Sequence, residues 1–133
     1  MARLRKQYHS RPVGQDRWIW DVHHLLRQAA SLPVLDVAVA DIAELRENWW
    51  FPNPDDRPTP EALVAHMRLV QAADLRYPIL LCAEGRLMDG MHRVCNALLT
   101  GQPTLPARRF EVTPKPDFIN VDISKLPYPD EEV

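Results

Sequence analysis

Apolar residues gather into a few separated groups along the chain, and their spacing predicts helices and strands alternating between a polar start and a proline-rich end. Val22, Leu25, Leu26 and Ala29 recur at helical spacing behind Asp21, whose carboxylate can accept the first unpaired amides, so a helix is expected from Asp21 to about Ala30. Ser31-Leu32-Pro33 ends it. Val34 to Val39 has the alternation of a strand, and Asp41 is the expected cap of a short helix through Leu45. Four prolines (Pro52, Pro54, Pro58, Pro60) then surround Trp49-Trp50-Phe51. So many fixed φ angles and missing N–H donors leave only a loop from Asn48 to Pro60.

Thr59-Pro60 has the form of a helix start, a capping hydroxyl followed by proline. Leu63, Met67 and Val70, with Ala62, Leu69 and Ala73 beside them, predict a buried stripe on a helix reaching Ala73. Pro78 to Cys82 is an unbroken apolar run expected to be a buried strand, Ala83-Glu84-Gly85-Arg86 a hairpin connection, and Arg86 to Met88 the returning strand. A further helix is expected with Asp89 as its N-cap and Met91, Val94, Cys95 and Leu98 facing inward, closed by Gly101 and Pro103. The last strand runs from Thr104 to Val112. This order predicts an α/β (α+β) fold, a small mixed sheet packed with helices.

Length and charge narrow the picture. At 133 residues the chain is expected to hold one domain, residues 18–112, between a flexible basic arm over 1–17 and a proline-rich acidic tail over 113–133. A net charge of −2 lacks the broad positive field of a protein that grips nucleic acid. The basic opening Met1-Ala2-Arg3-Leu4-Arg5-Lys6 is followed by polar residues, so neither a signal peptide nor a membrane segment is expected, and the expected location is cytoplasmic. Cys82 and Cys95 sit in apolar runs without metal-ligand spacing and read as buried thiols.

The chemistry concentrates in Leu87-Met88-Asp89-Gly90-Met91-His92-Arg93, where a strand end passes straight into a helix. First-turn amides have no intrahelical acceptor and carry the positive end of the helix dipole, so a phosphate can be held there by main chain. Gly90 is expected to allow its close approach, while His92 and Arg93 add donors. A histidine and an arginine in a first turn oppose the dipole, which an anion would offset.

The run Tyr77 to Arg93, followed by Ala97-Leu98-Leu99, Gly101 and Thr104-Leu105-Pro106-Ala107, resembles the ParB/sulfiredoxin superfamily, with residues 33–112 covered. The resemblance implies a ParB/sulfiredoxin-like fold that binds a nucleotide triphosphate or diphosphate, the triphosphate being ATP or CTP with Mg²⁺, through Gly90, Met91, His92 and Arg93. Sulfiredoxin-like members carry a cysteine between the glycine and the histidine; Met91 stands there and cannot supply a thiolate. Partition members add a downstream helix-turn-helix for which the proline-rich end has no counterpart, so DNA binding by this chain alone is not expected. Free serine kinase-like members carry Asp-Gly-His-His-Arg and differ at Met91. By that similarity the chain would transfer a phosphoryl group from ATP to a small hydroxyl compound, with Asp89 and an upstream acid, Glu44 or Asp41, as catalytic groups. The alternative is a non-enzymatic, nucleotide-responsive accessory or interaction module.

Other polar residues have plainer readings. His66 lies beside Leu63, Met67 and Val70 and reads as hydrogen-bonded structure. His23 and His24 are adjacent, so their rings diverge on a helix and make no metal pair. Trp49-Trp50-Phe51 reads as a lid on the core, with a nucleobase clamp or a protein or homodimer contact as alternatives. Of Arg108 and Arg109, on opposite strand faces, one is a candidate to reach the phosphates.

Overall fold

Backbone hydrogen bonding in the computed structural model sorts the chain into β1 (Arg3–Arg5), β2 (Tyr8–Val13), β3 (Asp16–Asp21), α1 (Val22–Ala29), β4 (Leu35–Ala38), α2 (Pro60–Ala72), β5 (Ile79–Leu81), β6 (Leu87–Asp89), α3 (Met91–Leu99), β7 (Thr104–Arg109), β8 (Phe118–Ile119) and β9 (Asp130–Glu132). The structure describes residues 3–5, 7–126 and 130–132. It is a mixed α+β protein in two compact units, one made by the two ends of the chain, to Ser31 and from Val112, the other by Leu32–Glu111.

The unit of the two ends is a hairpin with additions. β2 and β3 pair antiparallel from Tyr8↔Asp21 to Val13↔Asp16, turning at Gly14 in a left-handed conformation (φ 61). β8 extends the other edge of β3. Residues 8–17 are therefore strand and turn where an arm was expected, and part of the proline-rich tail is sheet. Polar contacts far apart in sequence hold them: Trp20 Nε1 donates to the Pro114 carbonyl (2.9 Å), and the Asp117 carboxylate accepts from the Asp21 amide (2.8 Å). β1 pairs antiparallel with β9, Arg3 opposite Glu132. α1 begins where its sequence dictates, the Asp21 carboxylate accepting from the His23 and His24 amides (2.9 and 3.4 Å), and buries Val22, Leu25 and Ala29.

The central unit holds a four-stranded sheet in the order β4-β7-β5-β6, with β5 parallel to β7 and the other pairs antiparallel. That is the expected mixed sheet. Ile79, Leu81, Leu87, Met91, Val94 and Leu105 form its core, so α3 buries the face predicted for it as far as Val94. Leu98, expected inside, is 60% exposed. The short helix expected behind Asp41 is instead two 3₁₀ turns, Val39–Asp41 and Ala43–Arg46, neither with a side-chain cap. No helix or strand lies between Arg46 and Pro60, as the prolines require.

The second helix departs from its predicted orientation. Its start is as expected, Thr59 Oγ1 accepting from the Ala62 amide at 3.2 Å. Of its apolar residues only Val70 is buried, while Leu63, Met67 and Leu69 stand 42%, 56% and 53% exposed. The physical reason is where α2 rests: its far end is tied to α3, Asn96 Nδ2 donating to the Val70 carbonyl at 2.9 Å. No helix among the described residues is long and apolar enough to cross a membrane.

Candidate functional site

β6 turns into α3 at Gly90, which takes the N-cap position with φ 114, and no side chain caps the helix. The glycine is demanded by its surroundings: a Cβ there would stand 2.6 Å from Ile79 Cγ2, on a backbone conformation that side chains avoid. Packing thus accounts for it independently of any ligand. Asp89, expected as the N-cap, turns to Arg93 instead, at 2.8 Å from Nη2. Arg93 Nη1 donates to the carbonyls of Tyr77 (3.0 Å) and Pro78 (2.7 Å). With side chains only 17% and 15% exposed, this ion pair buckles the entry to β5 onto the end of β6. Arg93, expected to grip phosphate, is engaged by the protein itself, and Asp89 supplies the negative charge that an anion was expected to bring to this turn.

His92 is brought to a partner that its place in the sequence does not reveal. His66 Nδ1 lies 2.9 Å from His92 Nε2, an imidazole–imidazole hydrogen bond between α2 and α3. The Trp50 indole covers both rings, with centroids 4.2 Å from His66 and 5.1 Å from His92 and planes within 14° and 19° of parallel. Phe51 meets the edge of His66. Burial holds the His92 pKa below its ordinary value, with the His66 and Arg93 charges acting the same way and Asp89 against them. Burial also lowers that of His66. A neutral pair follows near neutral pH, one ring donating and the other accepting.

Glu44, the upstream acid, is 3% exposed and accepts from the Leu87 amide on the outer edge of β6. It lines a groove of about 160 Å³, open at its mouth, together with Trp49, Trp50, Phe51 and Met91. Glu44 and the first residue of α3 thus share one surface, whereas Asp41 is exposed. Trp49 and Trp50 pack against the core, in keeping with the lid reading.

The remaining candidates serve the fold. Arg109 donates through Nε to the Ala83 carbonyl (3.1 Å) and fastens the β5–β6 hairpin, which turns at Gly85 (φ 81). His24 Nδ1 meets Asp117 at 2.8 Å, and His23 is buried. Cys82 is buried, and Cys95 is half-buried, its thiol pKa raised by that burial. Among the described residues no group of three or more His, Cys, Asp or Glu is placed to hold a metal. The His66–His92–Trp50 cluster is what sequence reasoning missed: residues from a loop and two helices carry no shared spacing that marks them.

The chain matches no protein-family model, no curated protein and no solved structure.

Proposed function

We propose that the central unit binds a phosphorylated ligand of the nucleotide class at the first turn of α3. The observation that carries this reading is that α3 opens at Gly90 with no side-chain cap, so its first N–H groups have no side-chain acceptor and an anion could serve as one. The likeness of Leu87 to Arg93 to the ParB/sulfiredoxin pattern supports it. In this reading the main chain of Gly90, Met91 and His92 holds phosphate, and the Arg93–Asp89 buckle fixes the turn. A nucleobase would find an aromatic surface in Trp49, Trp50 and Phe51.

Phosphoryl transfer to a small hydroxyl compound is the enzymatic form of the proposal. Asp89 is committed to Arg93, which leaves Glu44 and the neutral His66–His92 pair as the groups able to accept a hydroxyl proton. Magnesium would arrive on the phosphates, since the ion is commonly held by one or two carboxylates and the nucleotide. Charge neutralisation is the chemistry it would supply.

Thermal denaturation with ATP, CTP, ADP and adenosine, each with Mg²⁺, tests binding. A ligand with a Kd of about 10 μM should stabilise by about 2.7 kcal/mol at hundredfold excess, for the phosphorylated compounds and not for adenosine. Equal silence from all four overturns the proposal. Phosphorus NMR of mixtures with ATP and small hydroxyl compounds then separates turnover from binding.

A second reading, an interaction module, is favoured by the apolar residues that α2 and α3 leave in solvent, Leu63, Met67 and Leu69 with Leu98 and Leu99. Sedimentation and pull-down with Met67→Lys and Leu99→Lys variants would test it, since loss of a partner or of self-association must follow the substitutions.

A further inference from the structure

We infer that the groove between Glu44 and the Trp49-Trp50-Phe51 loop is a binding site for a small organic ammonium cation, of the quaternary or tertiary methylated class. Three observations converge on that chemistry, and none depends on the phosphate reading. The first is Glu44 itself. The residue is 3% exposed, and one backbone amide, that of Leu87, satisfies Oε1. Among the described residues no Lys, Arg or His forms an ion pair with it. Its one hydrogen-bond partner carries no charge, so a cation in the groove would give this carboxylate a countercharge that the protein does not.

The second observation is the wall. Trp49, Trp50 and Phe51 line the same groove, and aromatic faces carry the negative lobe of a quadrupole that attracts a cation within about 6 Å of the ring centre. Ammonium groups bearing methyls suit such walls best, because they are weakly hydrated and present apolar surface to the rings. The third is charge. No Lys or Arg lines the groove, while Glu47 adds a second carboxylate, reached from outside by Arg86 at 3.5 Å. A ligand that also carried a carboxylate would meet Glu44 and Glu47 with like charge, so zwitterionic amino acids are disfavoured and simple cations preferred. Met91 completes the lining with a polarizable thioether that adapts to methyl groups.

The test uses choline and its neutral carbon isostere, 3,3-dimethylbutan-1-ol, which has the same shape without the charge. Titration of the full chain followed by the indole N–H signals of Trp49 and Trp50 should show saturable shifts with choline at millimolar concentration or below. The isostere should bind at least about tenfold more weakly. Glu44→Gln, which keeps an acceptor for the Leu87 amide, should weaken choline binding by a similar factor while leaving the isostere unchanged. Equal affinity for choline and its isostere in the wild-type protein, or no saturable shift with choline, overturns the inference. That comparison needs no variant, so it stands even where Glu44→Gln fails to fold. Binding of choline in a protein that ignores ATP, CTP and ADP would overturn the phosphate reading and leave this one intact.

Discussion

The hydrogen bond between His66 and His92 exists only while the two facing nitrogens share a single proton, one ring donating and the other accepting. With both protonated there, two N–H groups would confront each other under Trp50. The sign of the pH effect follows from the lowered pKa of both rings. Below the ordinary histidine value of about 6.5 the unfolded chain binds protons on these side chains that the folded one does not, so the contribution is whole above that pH and is lost as pH falls through the lower folded values. Denaturant melts should therefore show a steeper loss of stability from about pH 7 to pH 5 in the wild type than in His66→Phe, where the facing pair is gone. Parallel pH curves would show that the pair is not titrating against the fold. At the neighbouring turn, Gly90→Ala should cost about 1–3 kcal/mol for its backbone conformation, with overpacking against Ile79 added, measured by chemical denaturation. A cost below about 0.5 kcal/mol would mean that the turn rearranges freely.

Among the elements, starts and stops were readable from the sequence because their causes are local. Asp21, Thr59-Pro60 and Gly101 act within a turn of the residues they cap, and their helices begin or end where those residues stand. Thr59→Ala should cost about 1 kcal/mol by denaturant unfolding, the usual loss when a capping hydroxyl is removed. What periodicity could not decide was which face of α2 meets the protein. An apolar stripe says that a helix has a side to cover, and the chain covers only its Val70 end. Met67→Lys should accordingly change stability by less than about 0.5 kcal/mol, whereas a core position would lose about 2–5 kcal/mol. The hairpin of β2 and β3 was illegible for a different reason: the polar residues 1–17 read as a flexible arm, and Pro12 is tolerated in the strand because β2 is an edge strand. The site was half legible. Its turn at Gly90 has a motif, but the use of Asp89 and Arg93 on each other, and of His66 on His92, depends on which neighbours the fold supplies.

For the whole molecule, the division into a unit of the two chain ends and a central unit turns a local substitution into a test of cooperativity. Asp117 is the clasp of the first: one carboxylate oxygen accepts the Asp21 amide at 2.8 Å and the other meets His24 Nδ1 at 2.8 Å, across more than ninety residues of sequence. Such long-range bonds close a loop whose entropy must be met by contacts within that unit, since β3, α1 and β8 meet there. Asp117→Ala leaves the Asp21 amide without its acceptor and should cost about 1–3 kcal/mol. Hydrogen exchange reads where that cost falls. Faster exchange at the Ile19 and Trp20 amides, with unchanged protection at Leu80 and Leu81 in the central sheet, is the outcome expected of units that open separately. Equal loss of protection in both would show one cooperative transition, and the central unit, with its turn at Gly90 and its groove, would then depend on the clasp as well.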